Sequence, residues 1–189
     1  KCSQLSNFML NNWYSNIRKQ QNCSFADGLI IERFIAMPDS IFARLSWQYE
    51  NSPEIKHIPL SIQQWLFEKG SLTARLKQHC HQFEVKVQSE KWIEKTFENE
   101  TALLPEGLYW CREVVLHGNG KPWVEARTLI SKALFIHYQS LSTLGDKPIG
   151  EWLFSLSAQR VGTQWAQDSE NGLYARRSLF LVQEMPLPH

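Results

Sequence analysis

YWCREVVLHGNGKPWVEARTLI, residues 109–130, reads as two strands joined by a Gly-Asn-Gly turn. Period-two alternation places Trp110, Arg112, Val114 and Leu116 on one face of the first strand, so a guanidinium stands in an apolar row. An unpaired charge facing a core costs several kcal/mol, and Arg112 therefore needs a buried partner or an anionic ligand. Arginine suits a carboxylate because its planar fork can donate two parallel hydrogen bonds. Two explanations fit at this point: an anion-binding arginine in a pocket, or an ion pair with a carboxylate on a neighbouring strand.

Outward from this hairpin the chain continues as strands and short helices. Phe83–Val87 alternates cleanly and reads as a strand, whereas 89–107 is charged and reads as an edge strand or a connecting loop. Ser61 and Gln64 have capping-box spacing ahead of Ile62, Trp65 and Leu66, and Gly70 stops that helix. Ser71 can cap a second helix from Leu72 to about His79. Leu134, Tyr138, Leu141 and Leu144 form a helical stripe ended by Gly145, and Pro148 suits the first position of a helix carrying Ile149, Trp152, Leu153 and Leu156. The stretch 157–173 is polar and ill-defined, and Leu179–Met185 is a last strand closed by Pro186 and Pro188. Hairpin-ordered strands with helices between them predict an α+β fold, an antiparallel sheet with helices packed against it.

Residues 1–36 carry weak order, and Pro38-Asp39-Ser40 opens a new texture with Ile41, Phe42 and Leu45 behind it. The first residue is Lys1, not Met. The expectation is an N-terminal extension over 1–36 and one functional domain over 37–189, within the size of a single core.

Composition narrows the function classes. The 189 residues include eight Trp and ten Phe, which suits a packed core. Twenty Lys and Arg against 19 Asp and Glu, dispersed along the chain, argue against nucleic acid or anionic membrane as a partner. Cys2, Cys23, Cys80 and Cys111 show no paired spacing, which suggests a reduced, cytoplasmic setting. No apolar run is long enough to span a bilayer, and the N-terminal residues lack a signal-peptide pattern. No apolar stripe is left over after packing, so a monomer is expected.

Four further features bear on chemistry. Glu184 shares the parity of Phe180 and Val182, so a carboxylate interrupts a second apolar row; burial would raise its pKa, and the alternatives are an end-of-strand residue turned to solvent or a direct pair with Arg112. Helix starts at Gly70-Ser71-Leu72-Thr73 and Lys147-Pro148-Ile149-Gly150 offer unpartnered N–H groups to an anion, although most such starts bind only water. His79-Cys80-His81 lacks a third metal ligand at a recognisable spacing and reads as surface. Arg176-Arg177 either aids an anionic substrate or is a solvated pair.

Four blocks in register resemble the chorismate lyase family: WLFEKGSLTARL (65–76), YWCREVVLHGNGKPWVEARTLI (109–130), LGDKPIGEWLF (144–154) and ARRSLFLVQEMPLP (175–188). The resemblance covers roughly residues 60–188. It implies an antiparallel sheet with a ligand buried beneath helical flaps, conversion of chorismate to 4-hydroxybenzoate and pyruvate in ubiquinone biosynthesis, and no metal or organic cofactor. By motif position it implies that Arg112 binds the substrate carboxylate, that the backbone N–H groups of Leu72 and Ile149 assist, and that Glu184 lies near the ring hydroxyl. Pro186, close behind Glu184, departs from the apolar residue the family pattern expects. Two other readings give the same fold without turnover: the small-acid sensor domain of GntR-type regulators, whose winged helix residues 1–60 do not resemble, and an inactive hydroxybenzoate-binding homologue.

Overall fold

Asn119 and Gly120 have φ of 51° and 77°, the left-handed torsions that a two-residue hairpin turn demands. They join Tyr109–Gly118 to Lys121–Ser131, the hairpin at the heart of a computed structural model that describes residues 8–15, 40–156 and 158–182. In chain order the strands are β1 (Phe8–Ser15), β2 (Gln48–Tyr49), β3 (Phe83–Ile93), β4 (Tyr109–Gly118), β5 (Lys121–Ser131), β6 (Ala158–Asp168) and β7 (Leu173–Val182). They form one seven-stranded antiparallel sheet in the order β2-β6-β7-β1-β5-β4-β3. The helices are α1 (Ile41–Arg44), α2 (Leu60–Leu66), α3 (Leu72–Lys77), α4 (Glu98–Thr101), α5 (Lys132–His137) and α6 (Ile149–Ser155). This is the α+β arrangement expected from the hairpin order.

Strand parity sorts the core. The even residues of β4 face the longer helices: Val114 and Leu116 pack with Ile62, Trp65 and Leu66 of α2, and Trp110 packs with Leu134 and Leu153. The odd residues Tyr109 and Cys111 face the opposite side with Leu104 and Leu129, while Phe42 and Leu45 cover Ala166 and Ala175 there. Both faces of β4 are thus buried, and each large apolar side chain so enclosed contributes about 1.5–3 kcal/mol.

Local chemistry departs from expectation in four places. α2 begins two residues earlier than its capping-box spacing suggests, with Pro59 at the cap position and Ser61 inside the helix. β3 does not stop at Val87 but runs past a register shift to Ile93, so part of the charged stretch is an edge strand. The ill-defined polar stretch is mostly β6, whose alternation breaks at a register shift between Arg160 and Gly162. The helical stripe over 134–144 divides into α5 and a 3₁₀ turn over Gln139–Thr143. Within the segment expected as an extension, β1 pairs with β5 on one side and β7 on the other.

Gly118 is where the hairpin is most sensitive. A Cβ there would lie 2.3 Å from the Trp123 ring, which is itself buried on the facing strand. Gly118→Ala must push that indole out of the α2 cluster, and overpacking of this kind costs about 1–3 kcal/mol. A fall of that size in unfolding free energy, followed in urea by tryptophan fluorescence, is expected.

Candidate active site

The N-termini of α3 and α6 meet above the sheet because residue 150 is glycine. A Cβ on Gly150 would lie 3.1 Å from Thr73 Oγ1 and 3.5 Å from Ser71 Oγ. Ser71 Oγ accepts a hydrogen bond from Ala74 N–H at 3.3 Å, capping α3 as expected, and Pro148 occupies the cap position of α6. The first N–H groups of a helix have no intrahelical acceptor, so Leu72 and Ile149 bring two such groups to one place.

Beneath this junction lies a cavity. Leu72, Thr73, Ile149, Gly150 and Leu153 line it from the helices, and Arg112, Val114, Leu116, Thr128, Ser178 and Phe180 from the sheet. Arg160 and Arg176 complete the wall, and among the described residues no carboxylate side chain lines it. An apolar box with three guanidinium groups fits a flat, largely apolar body bearing negative charge.

Arg112 is 2% exposed and makes three hydrogen bonds. Its Nη1 donates to Glu90, its cross-strand neighbour on β3, and its Nη2 donates to the carbonyls of Gly145 at 2.7 Å and Lys147 at 3.1 Å. Burial lowers its pKa, and the Glu90 carboxylate pulls it back up. The two explanations open to sequence therefore coincide: Arg112 has an ion pair on the neighbouring strand and also lines the cavity. Three of its five N–H donors are engaged, which leaves donor capacity beside Leu72 and Ile149.

Arg160 and Arg176 were not singled out as a pair by sequence. Arg176 Nη1 donates to the carbonyls of Leu66 at 3.0 Å and Glu68 at 2.8 Å, and Arg160 Nη1 donates to the same Glu68 carbonyl at 3.0 Å. Burial, reinforced by the neighbouring Arg160 charge, brings the Arg176 pKa down to about 9. A sequence signal for Arg176 existed, since it shares the parity of Ser178 and Phe180 on β7. Its neighbour Arg177 faces the other side and donates to Gln164 and to the Asn99 carbonyl, so the basic pair is split between the two faces of the sheet.

Leu72, Arg112 and Ile149 are brought together; Glu184 lies outside the described residues. His79 Nδ1 bonds the Arg75 carbonyl at 2.8 Å and its ring packs edge-on against Trp65. No group of three metal-ligating side chains occurs among the described residues.

Against known proteins, a family model described as Chorismate lyase matches residues 41–187. The probable chorismate pyruvate-lyase of Bartonella henselae is 37% identical over 153 residues, 79% of this chain and 86% of that protein. The chorismate pyruvate-lyase of Sodalis glossinidius is 39% identical over 130 residues, 63% of this chain and 73% of that protein. The probable chorismate pyruvate-lyase of Pasteurella multocida is 38% identical over 140 residues, 72% of this chain and 81% of that protein.

The loop that holds Arg160 and Arg176 has its own titrating brace. Glu68 accepts from Gly70 N–H at 2.9 Å and from Arg75 at 2.8 Å, and the Gly70 bond is the main cause lowering its pKa from 4.5. A depressed carboxylate pKa stabilises the fold above the unfolded value, and that stability is lost as pH falls through the folded one. Glu68→Gln should lower stability at pH 7 by less than about 1 kcal/mol, because the pair is partly solvated. Urea midpoints of the two proteins should converge as pH drops below the ordinary carboxylate range.

Proposed function

The chain belongs to the chorismate lyase family, and from that premise we propose which residues carry out the reaction and where it takes place. The chain is a lyase that converts chorismate to 4-hydroxybenzoate and pyruvate. The observation that carries the site reading is the buried Arg112 guanidinium facing a cavity roofed by two helix N-termini.

Chorismate holds much of its own driving force, because loss of the enolpyruvyl ether aromatises the ring. The ring C3–O bond breaks, the C4 hydrogen is lost as a proton, and pyruvate gains a proton at its methyl carbon, so atoms and charge balance. What the protein supplies is orientation, exclusion of water and management of that proton. In our reading the ring carboxylate takes the spare donors of Arg112 together with the Leu72 and Ile149 N–H groups. Val114, Leu116, Leu153 and Phe180 offer the ring its apolar walls. Glu184, which shares the parity of Phe180 and Val182 in the sequence, takes the opposite end, orienting oxygen and shuttling the proton. No cofactor enters this scheme.

The reaction supplies 4-hydroxybenzoate to ubiquinone biosynthesis in the cytoplasm, with the chain acting as a monomer on chorismate and not on nucleic acid. No helix among the described residues is long and apolar enough to cross a membrane. The catalytic domain is taken as 37–189, supported by the family match over 41–187; β1, from the segment before it, adds its backbone to the same sheet.

A closed site complementary to an aromatic acid also grips its product, which makes release a slow step. Wild-type protein incubated with chorismate should form 4-hydroxybenzoate, seen by its absorbance. Arg112→Ala should lower kcat/KM by about a hundredfold or more, the scale of a buried charge-assisted contact. Glu184→Ala should lose most of kcat. Near-normal turnover by both variants overturns this assignment of roles.

A further inference from the structure

Resting on the reading above, we propose that Glu90 is a positioning residue for this reaction. It fixes the plane of the Arg112 guanidinium, and with it the direction in which that group offers its spare N–H donors to the ring carboxylate. Glu90 itself lines no part of the cavity and acts through Arg112.

Its place depends on an irregularity in the edge strand. In the first half of β3, Val85 lies across from Leu116 and Val87 across from Val114, on the face of the sheet that carries Arg112. Strict alternation would next turn Ser89 and Lys91 to that face. The register shift between Val87 and Ser89 leaves Gln88 as an extra residue, and beyond it Glu90 pairs with Arg112 and Trp92 with Trp110. Ring contacts agree: Trp92 packs on Phe135 at 5.0 Å, and Phe135 on Trp110 at 4.9 Å. A bulge re-aims the side chains that follow it, and here it delivers a carboxylate to the buried cation of β4.

Geometry makes that carboxylate more than a counter-charge. The other two bonds from Arg112 both leave Nη2, for the carbonyls of Gly145 and Lys147. A guanidinium anchored at one nitrogen can pivot about it. The bond from Nη1 to Glu90 supplies a second fixed point and stops the pivot. Left over are the Nε–H and one hydrogen on Nη1, whose directions follow from the plane of the group. A hydrogen bond weakens steeply as its donor turns away from the acceptor, and a productive site holds its groups within about 10–20°. Asp146 adds charge near Arg112 but makes no hydrogen bond to it, so Glu90 is the one side chain among the three acceptors. It stands at the sheet edge, so its replacement leaves the apolar core in place.

Chorismate and 4-hydroxybenzoate both carry the ring carboxylate, so turnover and product binding report on the same contact. Glu90→Ala is expected to lower kcat/KM about tenfold and to weaken 4-hydroxybenzoate binding, measured by calorimetry, by a similar factor. Glu90→Gln keeps an oxygen that accepts from Nη1 while losing the charge, and should stay within about threefold of wild type in both measurements. In an Arg112→Ala background, Glu90→Ala should cost nothing further, because its effect travels through the guanidinium. Unchanged turnover and product affinity in Glu90→Ala, a Gln variant as impaired as the Ala variant, or an added loss in the double variant overturns the role. A lower urea midpoint with wild-type product affinity in Glu90→Ala marks a purely structural residue and overturns it too. Wild-type protein that binds 4-hydroxybenzoate yet forms none from chorismate overturns the lyase reading alone, and the calorimetric comparison of wild type, Ala and Gln then decides the role of Glu90 by the same criteria.

Discussion

The Arg112 guanidinium ties three parts of the molecule together. Left alone in an apolar face it would cost several kcal/mol, and its three hydrogen bonds remove that cost. One reaches Glu90 on the edge strand β3, and two reach the carbonyls of Gly145 and Lys147. Those carbonyls precede Pro148 and α6, so satisfying the arginine also fixes where that helix begins. Gly145 has φ of 56°, a backbone conformation that turns the chain there at little steric cost for glycine. The ion pair lies at the boundary, with Glu90 38% exposed, so its value is more positional than energetic. Removing the guanidinium would loosen the edge strand, the approach to α6 and the cavity together.

Buried arginines on the two faces of the sheet are treated differently. Away from the cavity, Arg127 is bound by Glu100 and Glu113, contacts the Cys111 sulfur and stacks on Phe97. Burial pushes the Cys111 thiol up to about 11, which fits a packing role. On the cavity side, Arg160 and Arg176 are held by main-chain carbonyls of the loop after α2. Pairing with carboxylates fixes a cation within the fold and neutralises it, whereas carbonyls fix where a guanidinium lies through its N–H groups.

Much of the frame was legible locally. The Asn119-Gly120 turn, the alternation around Arg112 and the Ser71 cap each depend on torsions or hydrogen bonds spanning a few residues and appear where the sequence put them, while Pro148 falls one position before its expected place, at the cap of α6. β6 is not legible in the sequence because its register shift between Arg160 and Gly162 interrupts the period-two pattern that marks a strand. The α2 cap lies at Pro59 and not at Ser61 because the proline supplies the extended entry that a serine side chain would otherwise stabilise. Arg176-Arg177 could not be resolved as a pair, since strand parity sends adjacent residues to opposite faces and only the packing tells which face holds the cavity.

Sequence by itself determined the central hairpin and its buried face, the presence of a guanidinium that must be satisfied there, the helices that begin near Leu72 and Ile149, and, through four blocks in register, the family. Tertiary structure alone decided that Glu90 satisfies this guanidinium, that Thr73 and Gly150 bring two helix starts together, and that Arg160 and Arg176 meet at one carbonyl. The reason is range. Periodicity, turns and caps are set by neighbours a few residues apart, whereas the cavity joins residues from 72 to 180 whose proximity exists only once strand order and helix packing are fixed.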